Sequence, residues 1–171
     1  MNKLGFASLS IFVMLLICGC LERQLTSSYI NEEYGIGINP PEGWVLQNNT
    51  LEKWVAIWTP SDNSSTSLSI APPYRLDEGL ALSVFADDIE ENYPESFTNF
   101  STLDRDWLTI GGLTAYEIVY SYAHNGFLFM ERQVGVKHTR DVYIIKYSAP
   151  LEKYYDFFTF VNESMVTFQV K

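Results

Sequence analysis

Between Trp107 and Ser148 the chain alternates apolar and polar side chains with a period of two, broken by dipeptides that reverse it tightly, and this constrains the fold more than any other stretch. Gly111-Gly112 and Asn125-Gly126 both suit a type I′ turn, which needs positive φ at two successive residues. Leu113 to Tyr122 lies between them, with Tyr116, Ile118, Tyr120 and Tyr122 on one face and Ala115, Glu117, Val119 and Ser121 on the other. From Phe127 to Lys137, Phe129, Glu131, Gln133 and Gly135 alternate with Leu128, Met130, Arg132, Val134 and Val136. A turn over Lys137 to Asp141 leads into Val142 to Tyr147, rich in β-branched and aromatic residues. The pattern predicts three consecutive antiparallel strands in a half-buried sheet with one richer face, the aromatic stripe packing as core rather than as a ligand platform.

The flanking segments fit around that sheet. Tyr34 to Ile38 reads as a strand, and Asn39-Pro40-Pro41-Glu42-Gly43-Trp44 as a turn. Short strands follow at Val45-Leu46, Trp54 to Thr59 and Ser67 to Ala71, with a turn at Asn48-Asn49. A helix is expected from about Glu78 to Tyr93, N-capped by Asp77 and stopped by Pro94, because Leu82, Phe85, Ala86, Ile89 and Tyr93 form a stripe at the helical period. Phe97 to Thr102 reads as irregular before Leu103 to Ile110 enters the meander. A second helix is expected after Ser148 or Ala149, with Pro150 in its first turn and Leu151, Tyr154, Tyr155, Phe158 and Val161 buried. A last strand is expected over Met165 to Val170. The result is α+β, an antiparallel sheet flanked by helices.

The N-terminus speaks to location. Lys3 precedes an apolar run from Leu4 to Ile17, and Gly19-Cys20 follows, the layout of a lipoprotein signal in which Cys20 is acylated after cleavage. The alternative is an uncleaved anchor, since Leu4 to Leu21 is just long enough to span a bilayer. Either way the domain is expected on a membrane surface outside the cytoplasm. The chain divides into a signal at residues 1–19, a lipidated cysteine and tether at 20–28, and one folded domain at 29–171. Loss of Cys18 with the signal leaves that domain without a disulfide, and a chain of roughly 150 residues can rely on its core.

The net charge is −10, and removing Lys3 takes it to −11, which argues against nucleic acid and against electrostatic attachment to anionic lipid. Sequons at Asn48, Asn63, Asn99 and Asn162 are candidate glycosylation sites. Hydrolase, zincin, P-loop and paired-cysteine motifs are absent, so no catalytic residue is assigned. His124 and His138 sit in consecutive turns, which belong at opposite ends of the sheet. Asp87, Glu90 and Glu91 are neighbours on one helix face and are candidate ligands for a divalent cation. Lys137 and Arg140, with Lys146 nearby in sequence, form the one basic cluster and are candidates for docking an acidic partner.

Several segments resemble PsbP-like domains. Tyr34-Gly35-Ile36 leading to Pro41-Glu42-Gly43-Trp44 resembles their opening strand and Pro-x-Gly-Trp turn. Gly111 to Glu117 resembles their Gly-x-x-Ala hairpin. Val142 to Ser148 with Ser164-Met165-Val166-Thr167-Phe168 resembles their closing strand–helix–Ser-Phe end, here with three residues between Ser164 and Phe168. The resemblance implies the Mog1/PsbP-like α/β/α sandwich, with helices on both faces of an antiparallel sheet. Its members include extrinsic photosystem II subunits that support calcium and chloride retention and a protein that binds a small GTPase. The implied function is a membrane-anchored extracytoplasmic binding or accessory module with an unidentified protein partner. It implies no cofactor beyond calcium by analogy. The alternatives are a cell-envelope enzyme working through carboxylates and a weak divalent-cation-binding protein.

Overall fold

The computed structural model describes residues 28–47, 53–62 and 65–171. The expected meander is its spine, with four strands rather than three: β7 (Thr98–Ile110), β8 (Leu113–His124), β9 (Phe127–His138) and β10 (Asp141–Pro150). Gly111 and Gly112 both have positive φ, as do Asn125 and Gly126, so both hairpins use the expected turn. The third reversal is tighter than its sequence reads. His138 pairs with Asp141, which leaves Thr139-Arg140 as a two-residue turn with Thr139 at φ 57. β7 starts at Thr98, in the stretch that reads as irregular. The strand carries two register shifts there, between Thr98 and Ser101 and between Thr102 and Asp104, and these bulges break the alternation.

Before the meander come β1 (Tyr29–Asn31), β2 (Ile36–Ile38), β3 (Trp44–Leu46), β4 (Ala56–Pro60), β5 (Ser67–Ile70) and β6 (Tyr74–Arg75), and β11 (Gln169–Val170) closes the chain. The large sheet has the order β3-β4-β5-β10-β9-β8-β7, with β6 pairing β10, and every strand pair is antiparallel. A second sheet has the order β1-β2-β11. β6, at two residues, is too short to show a period, and in β1 the apolar Ile30 faces outward between Tyr29 and Asn31, which hides the alternation. The last strand is correspondingly shorter than Met165 to Val170. The Asn48-Asn49 turn lies outside the described residues.

Both helices start later than their sequences indicate. α1 spans Val84–Ser96. Gly79 has φ 88, which no helix accommodates, and the Leu80 N–H bonds the Asp77 carbonyl in a turn, so Asp77 is not the N-cap. Pro94 lies inside α1 rather than stopping it. In the last turn its missing N–H costs a single bond, and the Phe97 N–H still reaches the Tyr93 carbonyl at 2.8 Å. α2 spans Tyr154–Met165. Pro150 ends β10 opposite Phe129 instead of opening the helix, and the Lys153 N–H bonds the Pro150 carbonyl in an intervening turn. The helical frame is therefore set by Tyr154, Phe158, Val161 and Met165. Tyr155, expected inside, is 71% exposed, and Leu151 is also exposed.

Both faces of the sheet are covered, not one. On one face Met130, Val134, Val136, Ile145 and Tyr147 pack against Tyr154, Val161 and Met165 of α2 and against Ile36, Ile38 and Phe168. On the other, Tyr116, Ile118, Tyr120 and Tyr122 pack against Leu82, just before α1, and against Phe85, Ala86 and Ile89 of α1. Gly135 is required here, because a Cβ would meet the Phe85 ring at 2.5 Å. This is the α+β sandwich with helices on both sides.

Candidate binding groove

The Gly111-Gly112 and Thr139-Arg140 turns lie at one end of the sheet. The loop before α1 is tied to that end, since the Leu76 N–H donates to the Arg140 carbonyl at 2.8 Å. Gly79 then turns the loop outward. Two shallow clefts result. One, about 260 Å³, is lined by Asp77, Glu78, Leu80, Lys137 and Arg140. The other, about 430 Å³, is lined by Leu80, Leu82, Trp107, Thr114, Lys137 and Thr139. They share Leu80 and Lys137 and form one groove.

Its chemistry is mixed. Trp107 packs edge-on against Tyr116 at 4.7 Å between centroids yet stays 54% exposed, and Leu80 is 48% exposed. Arg140 lies 3.9 Å from Glu78, with both side chains in water, a pair of small energetic weight. Sequence places Lys137 and Arg140 here but gives no sign of Trp107, which reads as a meander residue. Lys146 is not part of this cluster. It lies half-way along β10, where its Nζ meets Glu131 at 3.0 Å and the Trp54 ring at 4.9 Å.

The helix acids are committed elsewhere. Arg105 of β7 donates to Asp87 at 2.6 Å, to Glu90 at 2.8 Å and to the Tyr116 hydroxyl at 3.0 Å. The hydrogen bond to Asp87 first, and then other contacts, push the guanidinium pKa further above its usual value. Two of the three candidate cation ligands thus hold a guanidinium, and Glu91 is exposed beside them. No group of three metal-ligating side chains occurs among the described residues.

A buried polar cluster escapes sequence reasoning. On the face carrying α1, the Tyr120 hydroxyl donates to Glu131 at 2.8 Å and accepts from Gln133 at 2.6 Å. Glu131 is 2% exposed, and its other oxygen meets Lys146 as a contact of opposite charge rather than an aligned hydrogen bond. Burial, and then the Glu131 charge, raise the Tyr120 pKa far above its ordinary value. The signal was the placing of Glu131 and Gln133 on one face with Phe129 and Gly135. Across the sheet, Arg132 donates to Glu117 at 2.6 Å and to Asn162 at 3.0 Å beneath α2.

The remaining candidates scatter. His124 ends β8 and His138 ends β9, at opposite ends of an antiparallel pair. Asn99 is exposed in the β7 bulge with φ 54, and Asn162 is exposed on α2. Asn48, Asn63 and Cys20 lie outside the described residues. No helix among the described residues is long and apolar enough to cross a membrane.

Residues 21–170 match the family of PsbP-like proteins. No curated protein sequence matches the chain. Among solved structures, it is similar to the cyanobacterial PsbP, CyanoP, of Synechocystis at TM-score 0.63 and 10% identity, over 84% of this chain and 91% of that one. LpqN, involved in cell envelope biogenesis of Mycobacterium tuberculosis, is similar at TM-score 0.60 and 17% identity, over 80% and 83%. The Ran-binding protein Mog1p of Saccharomyces cerevisiae is similar at TM-score 0.57 and 10% identity, over 80% and 90%.

Proposed function

The chain belongs to the PsbP-like family, and on that premise we propose that it is a membrane-anchored, extracytoplasmic accessory module that works by binding a protein partner. The observation that carries this reading is the position of the domain relative to Cys20. The first strand opens at Tyr29, and the preceding Ser28 N–H bonds the Asn39 side chain at 2.7 Å. Eight residues of extended chain reach roughly 28 Å, so an acyl group on Cys20 would hold the domain close to the lipid headgroups. Binding is favoured over catalysis because the acids that the fold draws against basic side chains at 3.0 Å or less are spent on internal partners. Asp87 and Glu90 hold Arg105, Glu117 holds Arg132, and Glu131 holds Lys146. The yeast protein of this fold binds Ran, so the fold accommodates protein partners.

Metabolic labelling of cells carrying the native chain and its Cys20→Ser variant with an alkyne fatty acid tests the anchor. Label on the native protein and none on the variant is the expected outcome. Equal labelling of the two, or label on neither, would remove the lipid from the proposal. Cross-linking on intact cells should then return one recurrent membrane complex.

A further inference from the structure

Resting on the reading of this protein as a binding module, we propose that the groove between Trp107 and Arg140 receives an acidic–apolar peptide segment of the partner. One carboxylate of the peptide sits between Lys137 and Arg140, and a neighbouring apolar side chain lies against Trp107 and Leu80.

Arg105, Arg132 and Lys146 are each closed by an acid at 3.0 Å or less. Lys137, like Lys53, Arg75, Lys153 and Lys171, has no ion-pair partner among the described residues, but it lines one cleft together with Arg140, which has only the 3.9 Å approach of Glu78, whose side chain is 91% exposed. Such a pair opens at little cost when a better-placed carboxylate arrives. The groove therefore keeps two cations available side by side in a molecule of net negative charge.

The same groove exposes apolar area beside those cations. Trp107 and Leu80 each leave about half of their surface in water. Aromatic anchors next to a basic side chain are the composition of interface hot spots. Asp77 and Glu78 line the rim of the smaller cleft. They repel a polyanion, every further charge of which would meet the net negative field, but tolerate a single carboxylate flanked by apolar groups. A peptide segment meets that requirement better than nucleic acid, polyphosphate or an anionic polysaccharide does.

The test uses the full chain and synthetic dodecapeptides, each with one Glu placed one to four positions from a Phe or Leu, read by fluorescence anisotropy. At least one spacing should bind, and the Lys137→Glu/Arg140→Glu pair should lose about tenfold or more in affinity. Trp107→Ala should weaken binding to the same peptide, while Trp107→Phe retains most of it and controls for folding. Binding should also weaken as salt rises. Peptides that bind native and doubly substituted protein alike would overturn the proposal. So would polygalacturonate binding more tightly than any peptide, or no spacing binding at all. The Cys20→Ser variant should bind the peptides as the native chain does, so a failed groove and a failed anchor are told apart.

Discussion

Arg105 and Arg132 each make an ion pair of 2.6 Å, and burial is the main difference between them. The Arg132–Glu117 side chains are 9% and 14% exposed, and Arg132 also bonds Asn162 and lies over the Phe158 ring. Arg132→Ala would leave a largely buried carboxylate unpaired and loosen α2, costing about 3 kcal/mol. Arg105 is 26% exposed and its acids Asp87 and Glu90 are 60% and 35% exposed, so their charges are partly screened and Arg105→Ala, which also loses the Tyr116 contact, should cost about 1 kcal/mol, less than Arg132→Ala. Urea unfolding of both variants checks the ranking, and equal losses would contradict it. Gly111 and Gly126 offer a second contrast, since both sit at positive φ. At Gly126 an added Cβ meets nothing, whereas at Gly111 it would run into the Phe168 carbonyl. Both alanine variants carry a left-handed strain of about 1–2 kcal/mol, and Gly111→Ala should unfold at lower urea than Gly126→Ala. The turn type of these glycines was legible as a dipeptide. The approach of Phe168 was not, because it depends on where the chain ends up 57 residues later. Separation in sequence also hides the arginine pairs, whose partners lie 15 and 18 residues away.

Elements show the same division between local and distant causes. The stripe of Leu82, Phe85, Ala86 and Ile89 was readable because it repeats every turn. The start of α1 depended instead on the backbone of Gly79, and that of α2 on whether Pro150 joined a strand or a helix. A proline fits either setting, and the pairing of Pro150 with Phe129 decides it. β7 raises a different question, because it is a 13-residue strand at the edge of the sheet. An open edge of that length invites pairing with another chain. Here Asp104 accepts from the Arg105 N–H at 2.9 Å, and Asp106 accepts from the Trp107 N–H at 2.7 Å. These carboxylates occupy backbone donors and add charge to the edge, and the bulges near Asn99 twist it. Alternating exposed acids on a strand were visible in the sequence, but their use as backbone acceptors was not. Asp104→Val/Asp106→Val should fold with little change in urea midpoint yet aggregate at concentrations where the native protein scatters no light. Unchanged light scattering would show that the bulges alone protect the edge.

Across the whole molecule, the sandwich was legible because its spine is built from adjacent strands and tight turns. Its polar interior was not, because Tyr120, Glu131, Gln133 and Lys146 meet only when three strands align. Tyrosine burial gives the molecule its characteristic response to pH. Tyr74, Tyr120, Tyr122, Tyr143, Tyr147 and Tyr154 all have pKa values raised above 10.0, in each case chiefly by burial. Folding keeps these hydroxyls protonated where the unfolded chain releases its protons. Their contribution to stability is therefore complete below about pH 9 and is lost as pH rises through 10 toward each group's own folded value, at about 1.4 kcal/mol for each pH unit for the buried Tyr120, Tyr122, Tyr147 and Tyr154, with the part-exposed Tyr74 adding little. The fall should be steep because several groups act together. Tyr154 separates this linkage from hydrogen bonding, since its buried hydroxyl has no hydrogen-bond partner and its ring does the packing against Tyr147 at 4.8 Å. Tyr154→Phe should therefore match or exceed the native urea midpoint at pH 7 and unfold at higher pH than the native protein. Tyr120→Phe, which strands Glu131 and Gln133, should lose stability already at pH 7. Urea unfolding from pH 7 to 11, with tyrosinate absorbance followed in parallel, measures both. An alkaline transition that Tyr154→Phe leaves unmoved would place the controlling proton on another group.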